Sequence, residues 1–280
     1  MPKLTPRAIA FDPHQNRSVV LAQAKKKYLL GLDEAGGLEL LRPVPAPSET
    51  FWIAGAADQR AALFWSIGKL SLQPLAGGRG KSLKSYDAGT FARHVAFSNS
   101  ARWLGVEGKL VYQLMSDRLD VVDGTAIDGH VWLATTDGVY RRPIGGVPGD
   151  WRVLDKTSTP YLKTTAWDPE SDTFAVGEHS GRLRFFSADG DIDEVKLSDL
   201  WCIEHHDGAF YVWSKNKVSR LERDGALHDT GVTGEPHNDN CLGSTSHGLC
   251  FLEGTTIHRL ANGRWQAIDL EPFQATAELA

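Results

Sequence analysis

The chain has 280 residues, 41% of them hydrophobic and 23% charged, with a formal charge of -5. That balance excludes disorder and leaves enough apolar material for a substantial core. It also provides no overall basic field, so nucleic acid is not an expected partner, and no run approaches the roughly 20 apolar residues of a membrane-spanning helix.

Residues 1–7 hold no apolar signal core of the length secretion requires. Cys202, Cys241 and Cys250 cannot all pair within one chain. A reducing cytoplasm fits best, with one disulfide and a free thiol as the alternative.

One pattern returns along the chain. Residues 8–33 (AIAFDPHQNRSVVLAQAKKKYLLGLD) give a short apolar strand, a polar turn, a second strand, a second turn and a third alternating strand. A weaker unit follows at 51–87, reached through the linker PVPAPS at 43–48. The pattern is clear again at 94–115, weaker at 126–155, and clear at 164–190, 202–225 and 241–263. The first turns fall near Asp12, Asp58, Asn99, Asp128, Asp168, Asp207 and His247. Their spacing, about 40 residues with one unit nearer 30, is that of a propeller blade. Helical periodicity is absent. The expected fold is therefore all-β: a closed β-propeller of about seven four-stranded antiparallel blades, which protects nearly every strand edge. Residues 1–270 form this single domain, each blade built from continuous chain, with 264–270 as the last outer strand. Residues 271–280 are left as a C-terminal tail, loose or a lid.

Ala166-Trp167-Asp168-Pro169, followed by 173–177 and 181–186, resembles a WD-repeat blade, as do 95–98 with 101–112. Gly-His and Trp-Asp dipeptides do not recur as a set, so the chain resembles a divergent member of that propeller superfamily with no subfamily assigned. The resemblance implies a docking platform more often than an enzyme.

Strand order sorts the loops onto two ends. Turns after second strands, with the links between blades, lie at what we term the upper end. Turns after first and third strands lie at the lower end. The upper turns carry Lys25, Lys26, Lys27, Lys69, Lys109, Arg182, Lys215 and Lys217, interrupted by Asp137 and Glu253. The links add aromatic rings, among them Phe91, Tyr161 and Trp201. A basic rim around aromatic anchors is the composition of a binding surface. Lysine beside a hairpin is also ordinary edge protection, and such rings also fill gaps between blades. The lower turns are rich in acid, with Asp168, Glu170, Asp172, Asp207, Glu222 and Asp224 among them. Trp65, Trp103, Trp132, Trp167 and Trp213 sit mid-strand and read as core.

Groups suited to metal or acid–base chemistry concentrate at Cys202, Glu204, His205, His206, His237, Asn238, Asp239 and Cys241. No Cys-x-x-Cys or His-Glu-x-x-His spacing accompanies them. Residues 235–240 resemble, faintly, the ion-binding segments of lactonase-type propellers, and equally a turn of backbone-bonding side chains. The basic glycine loop at 77–82 has no helix after it to cradle an anion.

The expectation is a non-catalytic protein-binding propeller: a docking platform, an assembly subunit or an inhibitor of a target such as a toxin. It holds an acidic protein partner on its upper end, without cofactor. The alternative is a metal-dependent hydrolase or lactonase using Glu204, His237, Asn238 and Asp239. A small ligand in the central channel is left open.

Overall fold

A computed structural model describes residues 2–12, 15–44, 50–54, 61–66, 69–75, 79, 81–83, 95–97, 104–106, 109–112, 121–127, 130–135, 138–143, 152–155, 162–178, 180–187, 189, 192–222, 224–235 and 241–277. Their strands form seven antiparallel sheets, six four-stranded and one three-stranded, each made of consecutive strands in simple meander order. The sheets occupy 5–44, 50–83, 95–112, 121–155, 162–196, 200–233 and 242–269. They are numbered one to seven below.

The first turns fall where the sequence places them. First strands end at Asp12 and Asp168, and Asp207 and His247 lie in the turns that open the second strands of sheets six and seven. Asp58, Asn99 and Asp128 lie outside the described residues. The fourth sheet begins earlier than its repeat suggested, at Val121.

Burial explains the strand composition. Second strands are apolar on both faces: Arg17–Gln23 (RSVVLAQ) and Thr173–Glu178 (TFAVGE) are buried almost throughout. A strand packed between two neighbouring sheets needs apolar residues on both sides, so it reads as a continuous run. Each fully buried Val or Leu contributes about 1.5–3 kcal/mol. Fourth strands face solvent and are mostly exposed, as in Leu227–Thr233 and Arg264–Asp269. Tight turns join the strands. Lys215 and Asn216 both have positive φ (50° and 60°), the two-residue hairpin geometry that matches strand twist.

The chain divides into two compact units, Met1–Leu83 with Gly231–Ala280, and Lys84–Thr230. In the first unit, the first strand of sheet one packs against the first strands of sheets two and seven. The last sheet in the sequence therefore lies beside the first. Approach there is close: a Cβ on Gly243 would collide with the Ile9 side chain. In the second unit, the first strands of sheets three, four, five and six pack in sequence order. Thr164, on sheet five, accepts a hydrogen bond from Ile203 N on sheet six at 3.1 Å.

Three arginines fasten neighbouring sheets at one structural place, the backbone carbonyls near the end of a third strand. Arg42 of sheet one donates to Pro74 O of sheet two at 2.6 Å. Arg152 of sheet four donates to Asp189 O of sheet five at 2.5 Å. Arg259 of sheet seven donates from Nη1 to Asp33 O and from Nη2 to Glu34 O, both at 2.8 Å, just past the third strand of sheet one. Hydrogen bonds from a charged donor are worth about 1.5–3 kcal/mol each. Between sheets four and five, buried Arg184 pairs with Asp155 across the seam and with Glu178 at 2.9 Å.

The sequence left 271–280 as a loose tail or lid; the structure folds Glu271–Thr276 into a short helix, with Pro272 in its first turn. The helix docks on the first unit. Leu4 N donates to Gln274 Oε1 at 2.7 Å, and Gln274 Nε2 donates to Pro2 O at 2.8 Å. Phe273 packs against the cluster that holds Leu4, Leu30, Leu252 and Leu270.

Candidate functional site

The second hairpins carry the predicted cations. Lys25 and Lys26 are exposed in the turn of sheet one, and Lys27 opens its third strand opposite Gln23. Lys69 and Lys109 open third strands, paired with Ser66 and Val106, so each stands at the corresponding hairpin of its own sheet. Lys215 is exposed in the turn of sheet six.

Arg182 and Lys217 are engaged in ion pairs. Arg182 Nε donates to Glu194 Oε2 at 2.8 Å, and its Nη1 lies 3.9 Å from Glu178 Oε1. Lys217 Nζ donates to Asp229 Oδ2 at 2.8 Å. Both main acidic partners sit on fourth strands, brought opposite by strand register. Trp201 is half-buried, with its ring 5.6 Å from Trp213 and its indole N–H on Asp199 Oδ1 at 2.6 Å. Phe91 and Tyr161 lie outside the described residues.

Of the alternative set, Glu204 is half-buried on the first strand of sheet six, opposite Tyr211. His237, Asn238 and Asp239 lie outside the described residues. Cys202, Cys241 and Cys250 are buried and outside any disulfide. Burial pushes the Cys250 thiol up to about 12. Among the described residues, no three His, Cys, Asp or Glu side chains gather to hold a metal.

Several polar groups meet at the lower end of the second unit, in the seam between sheets five and six. A cleft of about 370 Å³ opens there, lined by Asp168, Asp193 and Glu222, with Arg220 and the rings of Phe185 and Phe210. Leu183 and Phe185 alternate with Arg184 and Phe186 along the strand Arg182–Ser187, so one pair faces sheet six and the other sheet four. Phe210 comes from the facing strand, its centroid 5.3 Å from that of Phe185.

Asp168 braces the turn at one side of the cleft. Its Oδ1 accepts from Glu170 N at 2.9 Å, and its Oδ2 accepts from Ser171 Oγ at 2.5 Å. Burial raises its pKa, but the bonds from Ser171 and Glu170 and the neighbouring His205 outweigh that and hold the carboxyl below its ordinary value. His205 stands behind it, with Nε2 3.2 Å from Asp168 Oδ1. The pair lacks hydrogen-bond alignment, and Nε2 is buried with no hydrogen-bond partner. Burial lowers the His205 pKa more than Asp168 raises it, so the ring is neutral at neutral pH.

A serine, a histidine and an aspartate therefore meet here, but in an order unsuited to nucleophilic attack. Ser171 gives its proton to a carboxylate held acidic, which makes a poor base. The wiring is that of a turn brace. Sequence reasoning noted Asp168 and Glu222 as lower-end acids and His205 as a candidate ligand. It missed Phe185, Asp193, Phe210 and Arg220 as neighbours, because no sequence signal states which faces of two adjacent sheets meet.

Meander sheets that pack through their first strands, the last beside the first, define a β-propeller fold. Solved structures agree. The WD40 propeller domain of Doa1 aligns with a TM-score of 0.64 at 14% identity, covering 90% of this chain and 91% of that one. BamB from Moraxella catarrhalis aligns at 0.55 with 15% identity, over 88% and 79% of the two chains. A catalytically inactive virginiamycin B lyase from Staphylococcus aureus aligns at 0.50 with 14% identity, over 96% and 86%. Identities this low establish the fold and nothing finer. No family model and no curated protein matches the sequence.

Proposed function

We propose that the protein is a non-catalytic, cytoplasmic binding propeller that holds an acidic protein partner at the upper, second-hairpin ends of its sheets. The observation that supports it most is the exposure of Lys25, Lys26 and Lys215 at the same place in their respective sheets. Lys217 and Arg182 add charge that an incoming carboxylate can recruit, since an exposed pair such as Lys217–Asp229 is worth only about 0–1 kcal/mol. Charge of this kind sets association rate and specificity, while buried rings carry affinity.

The test is the triple variant Lys25→Glu, Lys26→Glu and Lys215→Glu, compared with wild type in native co-purification. The three positions are exposed, so folding is preserved, as a melting curve will confirm. Recovery of an acidic partner by wild type and its loss in the variant supports the reading. Identical recovery by both rejects it.

The alternative retains catalysis: a metal-dependent hydrolase built on Glu204, His237, Asn238 and Asp239. Its support is that one propeller of similar shape is a lyase. Elemental analysis and the effect of chelator on melting decide it; a metal-free protein indifferent to chelator removes this reading.

A further inference from the structure

The cleft between sheets five and six combines charged groups with an apolar wall. Three carboxylates face one guanidinium across it, and two phenyl rings give it an apolar wall. Its volume, about 370 Å³, falls at the small end of ligand sites, roughly 300–1,000 Å³, enough for one long side chain and its flanking backbone.

We propose that this cleft docks an arginine side chain carried by a protein partner. The site is at the opposite end of the sheets from the lysine hairpins and does not depend on their role.

The lining sets the sign of the ligand. Asp193 is exposed on the outer strand of sheet five, and Glu222 is half-buried just past the third strand of sheet six. Glu170 adds a further carboxylate at the edge, its Oε2 3.6 Å from where a Cβ on Gly208 would stand. Against these stands Arg220, half-exposed, with Nε 3.6 Å from Glu222 Oε1, too long for a firm pair. An anion entering the cleft meets more like charge than opposite charge.

The apolar wall sets the kind of cation. A guanidinium stacks on a phenyl face while its methylene stem covers apolar surface, and its planar fork matches two carboxylates. His205 stands behind Asp168, outside the cleft lining. His205 is 9% exposed in its side chain, its ring sits edge-on to Phe210 at 5.2 Å, and Nε2 has no hydrogen-bond partner beside Asp168. Free arginine is a poorer occupant than a peptide, because its own carboxylate is repelled by the same groups.

The probe is acetyl-Gly-Arg-Gly-amide, titrated into the full chain while the Gly208 amide is followed by NMR. A saturable shift with a dissociation constant on the order of 1 mM is expected for a single side-chain subsite. The citrulline peptide, equal in shape but uncharged, should bind at least about tenfold more weakly, and so should free L-arginine. The double variant Asp193→Asn, Glu222→Gln should lose about tenfold, whereas Arg220→Gln, which removes the competing cation, should tighten binding about threefold. An unmoved Gly208 amide overturns the proposal. So does equal binding of the citrulline peptide or of free arginine, or an Arg220→Gln variant that binds no better than wild type.

Discussion

Two seams between neighbouring sheets, built on one plan, end differently. At the seam of sheets seven and one, buried Val20, Leu30, Cys250, Leu252 and Ile257 form one cluster. Arg259 fastens one side through two carbonyls, and the helix at 271–276 packs on the cluster through Phe273. At the seam of sheets five and six, a similar cluster of Leu183, Leu200, Ile203 and Val212 fills the middle. Its lower end opens into the acidic cleft instead. Each seam sets a histidine edge-on to a phenyl ring, His247 against Phe11 at 5.5 Å and His205 against Phe210 at 5.2 Å. The apolar middle is thus the shared requirement of the fold. What closes or opens the end of a seam is a handful of polar side chains.

The contrast is broken most sharply at Cys250. With its thiol pushed up to about 12 by complete burial, the thiolate fraction near neutral pH falls about a thousandfold below that of an ordinary cysteine. Peptide mapping after brief iodoacetamide treatment should show Cys250 unlabelled in buffer and labelled in urea. Rapid native labelling would mean that the seam of sheets seven and one is not sealed.

Next in size is Arg259→Ala, which strips two carbonyls of their donor and empties a buried volume; it should cost about 3 kcal/mol in urea unfolding. A loss under about 1 kcal/mol would place the strength of that seam in its apolar cluster alone.

The second seam should respond to acid. Burial holds the imidazoles of His205 and His206 below their ordinary value. The unfolded chain therefore takes up protons before the folded one, so stability present above about pH 6.5 is lost as pH falls toward the lower folded values. The urea midpoint should drop between about pH 7.5 and about pH 5.5, and His205→Phe should shrink the drop. A midpoint that rises on acidification would contradict the assignment.

Smallest is Lys217→Met on the outer rim of sheet six. Breaking its exposed pair with Asp229 should change stability by less than about 0.5 kcal/mol, which thermal melting will measure.

The strand plan was legible because each turn carries its own chemistry. Asp168, Asp207, and Lys215 with Asn216, mark reversals by residue type alone, and the runs between them alternate or stay apolar according to their depth in the sheet. The buried Trp132 and Trp213 follow from the same alternation. The proposed binding surface was half legible. Sequence order puts the cations on second hairpins, but Glu194 and Asp229 reach Arg182 and Lys217 only through cross-strand register. The cleft was hidden for a stronger reason: Phe185 and Phe210 belong to different sheets, and the packing of sheets is a tertiary fact. The helix at 271–276 escaped because six residues are too few to show a period, although Glu271 and Pro272 open it as helix starts commonly do.

The hydrogen bonds that tie sheet seven and the helix to the N-terminal residues join positions between 225 and 272 apart in the chain. A ribosome delivers sheet one well before sheet seven. Until then Val20 and Leu30 have no cover on that side, and the nascent chain carries a sticky flank while sheets two to six are made. Chains halted before residue 241 should therefore be protease-sensitive and retained by chaperones, while adding sheet seven should release them in one cooperative step.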